Sequence, residues 1–305
     1  MHGGSSWLDK PIPDFSDNSN PLGPPPQLPA LVREAVERGV YLKFPANAAE
    51  EVLAQYEGVD VVAFNGATEA LTAVLASHRP RRVVVPWPTY SDYERIASLL
   101  GAPLIRAELG GLASVAGPRD VVVLANPNNP TGEYMPRDAV LELARALRAR
   151  GATLVVDESF IDFVGGETAA PDVPVIKSYG KLLAVPGLRI GAYLGEAPPA
   201  LRAPWRLNSI ADYAIYHMGA EALRAHAVAT RTYIAEEAPR VVEALAKCVE
   251  VWRTRLHFFV MRARPVGVKV RPLDDLGLPG YSRASIKSRE LDEILIRAVC
   301  GDAVG

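Results

Sequence analysis

An open α/β sheet domain followed by a smaller α+β unit is the architecture the sequence predicts, and three observations carry it. Helical stretches alternate with short valine-rich runs between residues 30 and 203. Those runs are apolar on both faces, as strands of a mostly parallel sheet covered by helices are. After Pro204 the texture changes, and a long alanine-rich helical region leads into closely spaced strand signals. At 305 residues, 49% hydrophobic and 22% charged, the chain is long enough to bury a large core.

Residues 1–29 come first as an arm. The stretch PIPDFSDNSNPLGPPP, Pro11 to Pro26, is too rich in proline, glycine and asparagine to continue a helix or a central strand. It reads as extended chain laid over the rest. The large domain is expected over residues 30–203. Its helices fall at Ala30–Glu37, Gly66–His78, Thr89–Leu100 and Pro136–Arg150, the last with proline at its start and apolar residues three and four apart. Its strands are Arg82–Pro86, Asp120–Ala125, Thr153–Asp157 and Pro174–Lys177. The small domain, residues 204–305, begins with a helical region from Asn208 to Lys247. Strand signals follow at Cys248–Trp252, Leu256–Met261, Gly267–Arg271 and Tyr281–Ile286, and a helix from Ser288 to Val299 closes it.

Composition excludes several classes. A formal net charge of −2 with no long basic run gives no general attraction to nucleic acid or to an anionic membrane. Two cysteines, Cys248 and Cys300, cannot build a disulfide framework. The five histidines, His2, His78, His217, His226 and His257, are scattered, so no metal site is expected. The N-terminus carries no apolar signal core and no apolar run reaches the length of a membrane helix, so the expected location is the cytoplasm.

Ligands of open parallel sheets bind at the carboxyl ends of the strands. Here those ends carry, in succession, NPNNPTG (Asn126–Gly132), Asp157 in VVDESF, Ser178 and Lys181. Singly, each has an ordinary reading as a turn, a helix cap or a surface lysine. Together they put an amide, an acid, a hydroxyl and an amine on one rim. Lys181 sits in the apolar, glycine-rich segment SYGKLLAVPGLRIG, where partial desolvation would lower its pKa and ready the amine for a carbonyl group.

In this order, NPNNPTG, VVDESF and SYGK followed by GLRIG resemble the fold type I pyridoxal-phosphate enzymes, specifically the aminotransferase family, over nearly the whole chain. The resemblance implies pyridoxal 5'-phosphate as cofactor, a homodimer, and a set of roles. Lys181 would form the Schiff base with the cofactor, Asp157 would face the pyridine nitrogen and keep it protonated, and Asn129 would hydrogen-bond the phenolic oxygen. Gly66, Ala67 and Thr68 would open a helix whose free amides hold the cofactor phosphate, completed by Ser178 and Arg189. Tyr90 would stack on the ring. Two positions depart from the family pattern: Phe160 stands where many members have tyrosine, and Phe44 stands where many have a tyrosine reaching the neighbouring subunit's site, with Tyr41 nearby.

Within the family, His2-Gly3-Gly4, DFSDNSNPLG, AVPGLR and PWRLNSIA resemble the threonine-phosphate decarboxylase branch, which implies decarboxylation of L-threonine O-3-phosphate to aminopropanol phosphate for cobalamin biosynthesis. By the same resemblance Arg283 would clamp the substrate carboxylate, its planar fork suiting that group. His2 and Arg271 would meet the substrate phosphate, with Asn20 and Lys269 behind them. The alternatives are transamination of histidinol phosphate with 2-oxoglutarate, and a non-catalytic regulatory protein on the same fold.

Overall fold

The computed structural model describes residues 3–301. Among these, seven four- or five-residue strands form the main sheet: β1 (Val61–Phe64), β2 (Val83–Pro86), β3 (Leu104–Ala107), β4 (Val121–Ala125), β5 (Thr153–Asp157), β6 (Val175–Ser178) and β7 (Gly191–Leu194). Their order is β1-β7-β6-β5-β4-β2-β3, and β7 alone runs against its neighbours. The helices of this part are α1 (Leu28–Glu37), α2 (Ala49–Glu57), α3 (Ala67–His78), α4 (Asp92–Leu99), α5 (Leu112–Val115), α6 (Arg137–Ala149), α7 (Ile161–Val164) and α8 (Tyr179–Leu182).

Alternation along the strands divides the core in two. Val122 and Leu124 of β4 and Val156 of β5 face one side, where they meet α1, α2 and α6. Val121, Val123 and Val155 face the other, against α3 and α4. Asp157 lies two residues after Val155 and therefore emerges on the α3/α4 side. Lys177 alternates to the opposite side of β6 from Ile176 and is buried there, its Nζ 2.7 Å from Glu57 and 2.9 Å from Asp162.

Beyond β7 come α9 (Ser209–Met218), α10 (Ala220–Ala246), the short strands β8 (Val251–Trp252), β9 (Phe258–Met261), β10 (Arg271–Pro272) and β11 (Ser282–Ser285), and α11 (Arg289–Cys300). The four strands form an antiparallel sheet in the order β10-β11-β9-β8. Three features differ from the sequence reading. The helical region expected as one piece from Asn208 to Lys247 breaks at Gly219, whose φ of +79° an L side chain rarely adopts. The two cores part inside α10 rather than at Pro204: Ala211, Ile215 and Leu223 pack into the large core, and Ile234, Val241 and Leu245 into the small one. The two cysteines, too few for a framework, do make one cross-link, joining the chain just after α10 to the end of α11 with Cα atoms 5.5 Å apart.

The arm is tied down along its length. Phe15 is fully buried in the small core, its N–H donating to the Lys269 carbonyl at 2.8 Å while its own carbonyl accepts from the Ser285 N–H at 2.9 Å. Among the described residues no helix is long and apolar enough to cross a membrane.

Candidate active site

A cavity of about 190 Å³ opens at the carboxyl ends of β4, β5 and β6, between the large sheet, the arm and β10–β11. Lys181, Asp157, Asn129, Tyr90, Arg189 and Arg283 all line it. They come from five separate stretches of chain, so their meeting is a product of the sheet's topology.

Asp157 ends β5 with its carboxylate already committed to hydrogen bonds. Oδ1 accepts from the backbone N–H of Ser159 at 3.0 Å and from its hydroxyl at 2.5 Å, and Oδ2 accepts from the Tyr93 hydroxyl at 2.8 Å. Burial raises its pKa, opposed by the bonds from Ser159 and Tyr93 and by the Lys181 charge. Lys181, in the single turn of α8 after β6, has its amine drawn down to about 8, mostly by burial and then by the Arg283 charge. Half of such amines are neutral at pH 8, where an ordinary lysine is almost wholly charged.

The opposite end of the cavity is built for an anion. Gly66 precedes α3 with φ +96°, and a Cβ placed on it would lie 2.6 Å from the Arg189 guanidinium. A Cβ on Gly191 would lie 2.3 Å from the Ala67 nitrogen. Only glycine at both places lets Arg189 and β7 approach the first turn of α3 so closely. The unbonded amides there, the helix dipole and the guanidinium converge with Ser178, a combination that fits a phosphate group. Tyr90 lies between this end and Asp157, edge-on to Tyr93 with ring centroids 5.4 Å apart. Burial and the neighbouring Asp92 and Asp157 push its hydroxyl up to about 12, so it stays protonated. A phosphate end, an amine and a buried acid within one cavity therefore fit pyridoxal phosphate.

The third wall carries two arginines in cross-strand register, Arg271 on β10 opposite Arg283 on β11. Both are buried at the cavity. Arg271 makes a two-pronged pair with Asp275, at 2.8 and 2.7 Å. Arg283 has no carboxylate: Nη1 donates to Asn129 Oδ1 at 2.7 Å, Nη2 donates to the Ser16 carbonyl, and Nε has no partner among the described residues. Burial first, then the Arg271 charge, pulls its pKa to about 9. A guanidinium seldom loses its proton in a protein, so that pull measures how poorly the charge is compensated.

Two of the residues expected at the substrate lie elsewhere, and one lies outside the described residues. Asn20 is buried away from the cavity. Its N–H donates to the Lys181 carbonyl at 3.0 Å, and its side-chain amide donates to the Leu182 carbonyl at 2.8 Å and to the Thr230 hydroxyl at 2.6 Å. It pins the lysine segment to the arm and α10, because its amide is spent on structural partners. Lys269 donates to the Gly4 carbonyl at 2.7 Å and so holds the arm. His2 falls outside the described residues; Gly3 next to it lines the cavity. Tyr93 and Ser159 were missed from sequence. Ser159, two residues after Asp157, had a local signal as the closing hydroxyl of a short side-chain turn; Tyr93 had only its place one turn along α4 from Tyr90. Phe160 turns its ring into the small core, against Phe258 at 5.0 Å between centroids.

Comparison with known proteins agrees with this geometry. The family described as Aminotransferase class I and II matches residues 11–264. The histidinol-phosphate aminotransferase of Rubrobacter xylanophilus is 30% identical, covering 93% of this chain and 90% of the relative. The threonine-phosphate decarboxylase of Salmonella typhimurium is also 30% identical, covering 94% and 90%. Among solved structures, the histidinol-phosphate aminotransferase of Clostridium acetobutylicum superposes with a TM-score of 0.80 at 20% identity, covering 94% of this chain and 98% of that one. The L-threonine-O-3-phosphate decarboxylase of Porphyromonas gingivalis does so with a TM-score of 0.80 at 21% identity, covering 93% and 97%. At those identities the structural likeness speaks for the fold alone.

Proposed function

The chain belongs to the class I and II aminotransferase family, and from that premise we propose that it decarboxylates L-threonine O-3-phosphate, releasing carbon dioxide and aminopropanol phosphate. Pyridoxal phosphate, the family's cofactor, supplies an aldehyde for amines and a ring that accepts the electrons left when a bond at Cα breaks. The residues present would divide the work as follows. Ala67, Thr68, Ser178 and Arg189 hold the phosphate, and Asp157 holds a proton at the ring nitrogen. Lys181, its amine drawn down to about 8, would hold the aldehyde of the cofactor and, when freed, would supply a proton to Cα.

One observation carries the choice of substrate. Arg271 and Arg283 face each other across paired strands, a placement that costs stability because like charges oppose. Asp275 offsets one of them only. With Arg271 already paired, the group Arg283 lacks is a carboxylate, and threonine phosphate carries one beside its phosphate where histidinol phosphate does not. We assign the carboxylate to Arg283, beside Asn129, and the phosphate to Arg271 with His2 of the arm. Histidinol phosphate has one anionic group and fits less well.

A second reading, transamination, is favoured by the names of several relatives, and glutamate as amino donor also has two anionic groups. Carbon dioxide release from carboxyl-labelled threonine phosphate, beside keto-acid-dependent turnover of histidinol phosphate, separates the two. Release without added keto acid supports the lyase. Turnover of histidinol phosphate alone rejects it. The reading also includes a homodimer, supported by the exposed run Tyr41, Leu42 and Phe44, where Phe44 stacks on exposed Trp205 at 4.2 Å. A monomer at micromolar concentration in sedimentation would remove that part.

A further inference from the structure

The environment of Asp157 contains a residue with no assigned role. Tyr93 stands on α4 with its ring sealed into the core between Ile96, Ala97 and the strand residues Val85 and Val123. Tyr93 also lines the cavity, and its hydroxyl donates to Asp157 Oδ2 at 2.8 Å. Burial and the adjacent Asp157 charge hold that hydroxyl protonated, so toward the carboxylate it is a donor.

An ionised carboxylate offers about four acceptor positions. Ser159 fills two on Oδ1 and Tyr93 one on Oδ2. This locks the carboxylate plane against rotation and leaves an open lone pair on Oδ2 beside the cavity. The bonds from Ser159 and Tyr93 stabilise the ionised form more than the charge of Lys181 does. The carboxylate's orientation is therefore set by two hydroxyls and a peptide N–H, which also oppose the rise that burial imposes on its pKa.

We propose that Tyr93 is a positioning residue for the cofactor: with Ser159, it fixes the Asp157 carboxylate so that Oδ2 pairs with the protonated ring nitrogen of pyridoxal phosphate. The proposal rests on the cofactor assignment above and adds to it a residue that acts through Asp157. Its action runs through one atom of the ring, and that gives it a selective test. Asp157 cannot form this pair with an analogue in which carbon replaces the ring nitrogen.

The test is an absorbance titration of cofactor-free wild type, Tyr93→Phe and Ser159→Ala with pyridoxal phosphate and with the carbon analogue. Tyr93→Phe keeps the buried ring and removes only the hydroxyl; a thermal melt of each variant checks that it is folded. The expected result is a Kd for pyridoxal phosphate raised tenfold or more in Tyr93→Phe, with the Kd for the analogue changed less than twofold, and the same pattern in Ser159→Ala. Equal losses for both ligands would mean a packing role and overturn the proposal, as would unchanged binding of pyridoxal phosphate. Failure of the wild type itself to bind pyridoxal phosphate would instead overturn the cofactor assignment, and this inference with it.

Discussion

Replacing Arg283 with glutamine should separate substrate recognition from folding. Among the described residues the guanidinium makes two hydrogen bonds, to Asn129 and to the Ser16 carbonyl, and no ion pair, with Asp17 acting on it only at longer range. Losing two such bonds costs about 3–6 kcal/mol, at roughly 1.5–3 each where one partner is charged. Removing a poorly compensated buried charge returns energy of similar size, so the melting temperature should move little. The substrate carboxylate, by contrast, would lose its charged partner. A charge-assisted contact of about 1.5–3 kcal/mol corresponds to roughly 10- to 150-fold in KM for threonine phosphate. The assay is steady-state carbon dioxide release, run beside the inhibition constant of aminopropanol phosphate, which keeps the phosphate and amine but lacks the carboxylate. KM should rise while that inhibition constant stays within about twofold. Equal weakening of both ligands, or an unchanged KM, would refute the assignment of Arg283 to the carboxylate.

Four further outcomes follow from the geometry. The amine of Lys181, drawn down to about 8, is charged below that pH and neutral above it, so the rate of pyridoxal phosphate capture by cofactor-free protein should rise with pH and level off above about 8; a stopped-flow rate still climbing tenfold per unit at pH 9.5 contradicts this. In the same protein, because folding lowers this lysine's pKa, the unfolded chain binds more protons between about pH 8 and 10.5, and this group's contribution to stability rises across that window. Gly66→Ala forces a left-handed φ on alanine and a Cβ against Arg189, which should cost roughly 1–3 kcal/mol in a thermal melt and weaken cofactor binding; wild-type values in both would refute the cradle. Asn20→Ala should lower the melting temperature with KM unchanged, since its amide holds Leu182 and Thr230; a raised KM in an equally stable protein would return it to the substrate.

The alternation of helices with valine-rich runs was enough to read four of the seven strands, β2, β4, β5 and β6, because they are buried on both faces and need no polar side. The rim was legible for a related reason: an acid, an amide and a lysine ending successive apolar strands are costly to hold together unless a ligand uses them. What was hidden depends on contacts between distant segments. Lys177 ends the run Pro174–Lys177 with nothing in the sequence to mark its partners, and only the docking of α2 and α7 brings Glu57 and Asp162 around it. Asn20 lies in the extended arm and was expected behind the substrate phosphate, yet its amide is consumed by chain more than 160 residues away. The cross-link of Cys248 to Cys300 requires α11 to lie along α10, which spacing alone does not give. Strand β7 was missed because GAYL is four residues long, and the reversal of direction that presents Arg189 to α3 leaves no periodic mark.

Every role proposed for the site depends on Lys181 being the covalent anchor. Borohydride reduction of the protein loaded with pyridoxal phosphate, followed by proteolysis and mass spectrometry, tests this most directly. The reduced cofactor should be found on the peptide containing Lys181, and the absorbance band of the bound cofactor should be missing from Lys181→Ala. Label on Lys177 or spread over surface lysines, with an unchanged band in Lys181→Ala, would contradict it.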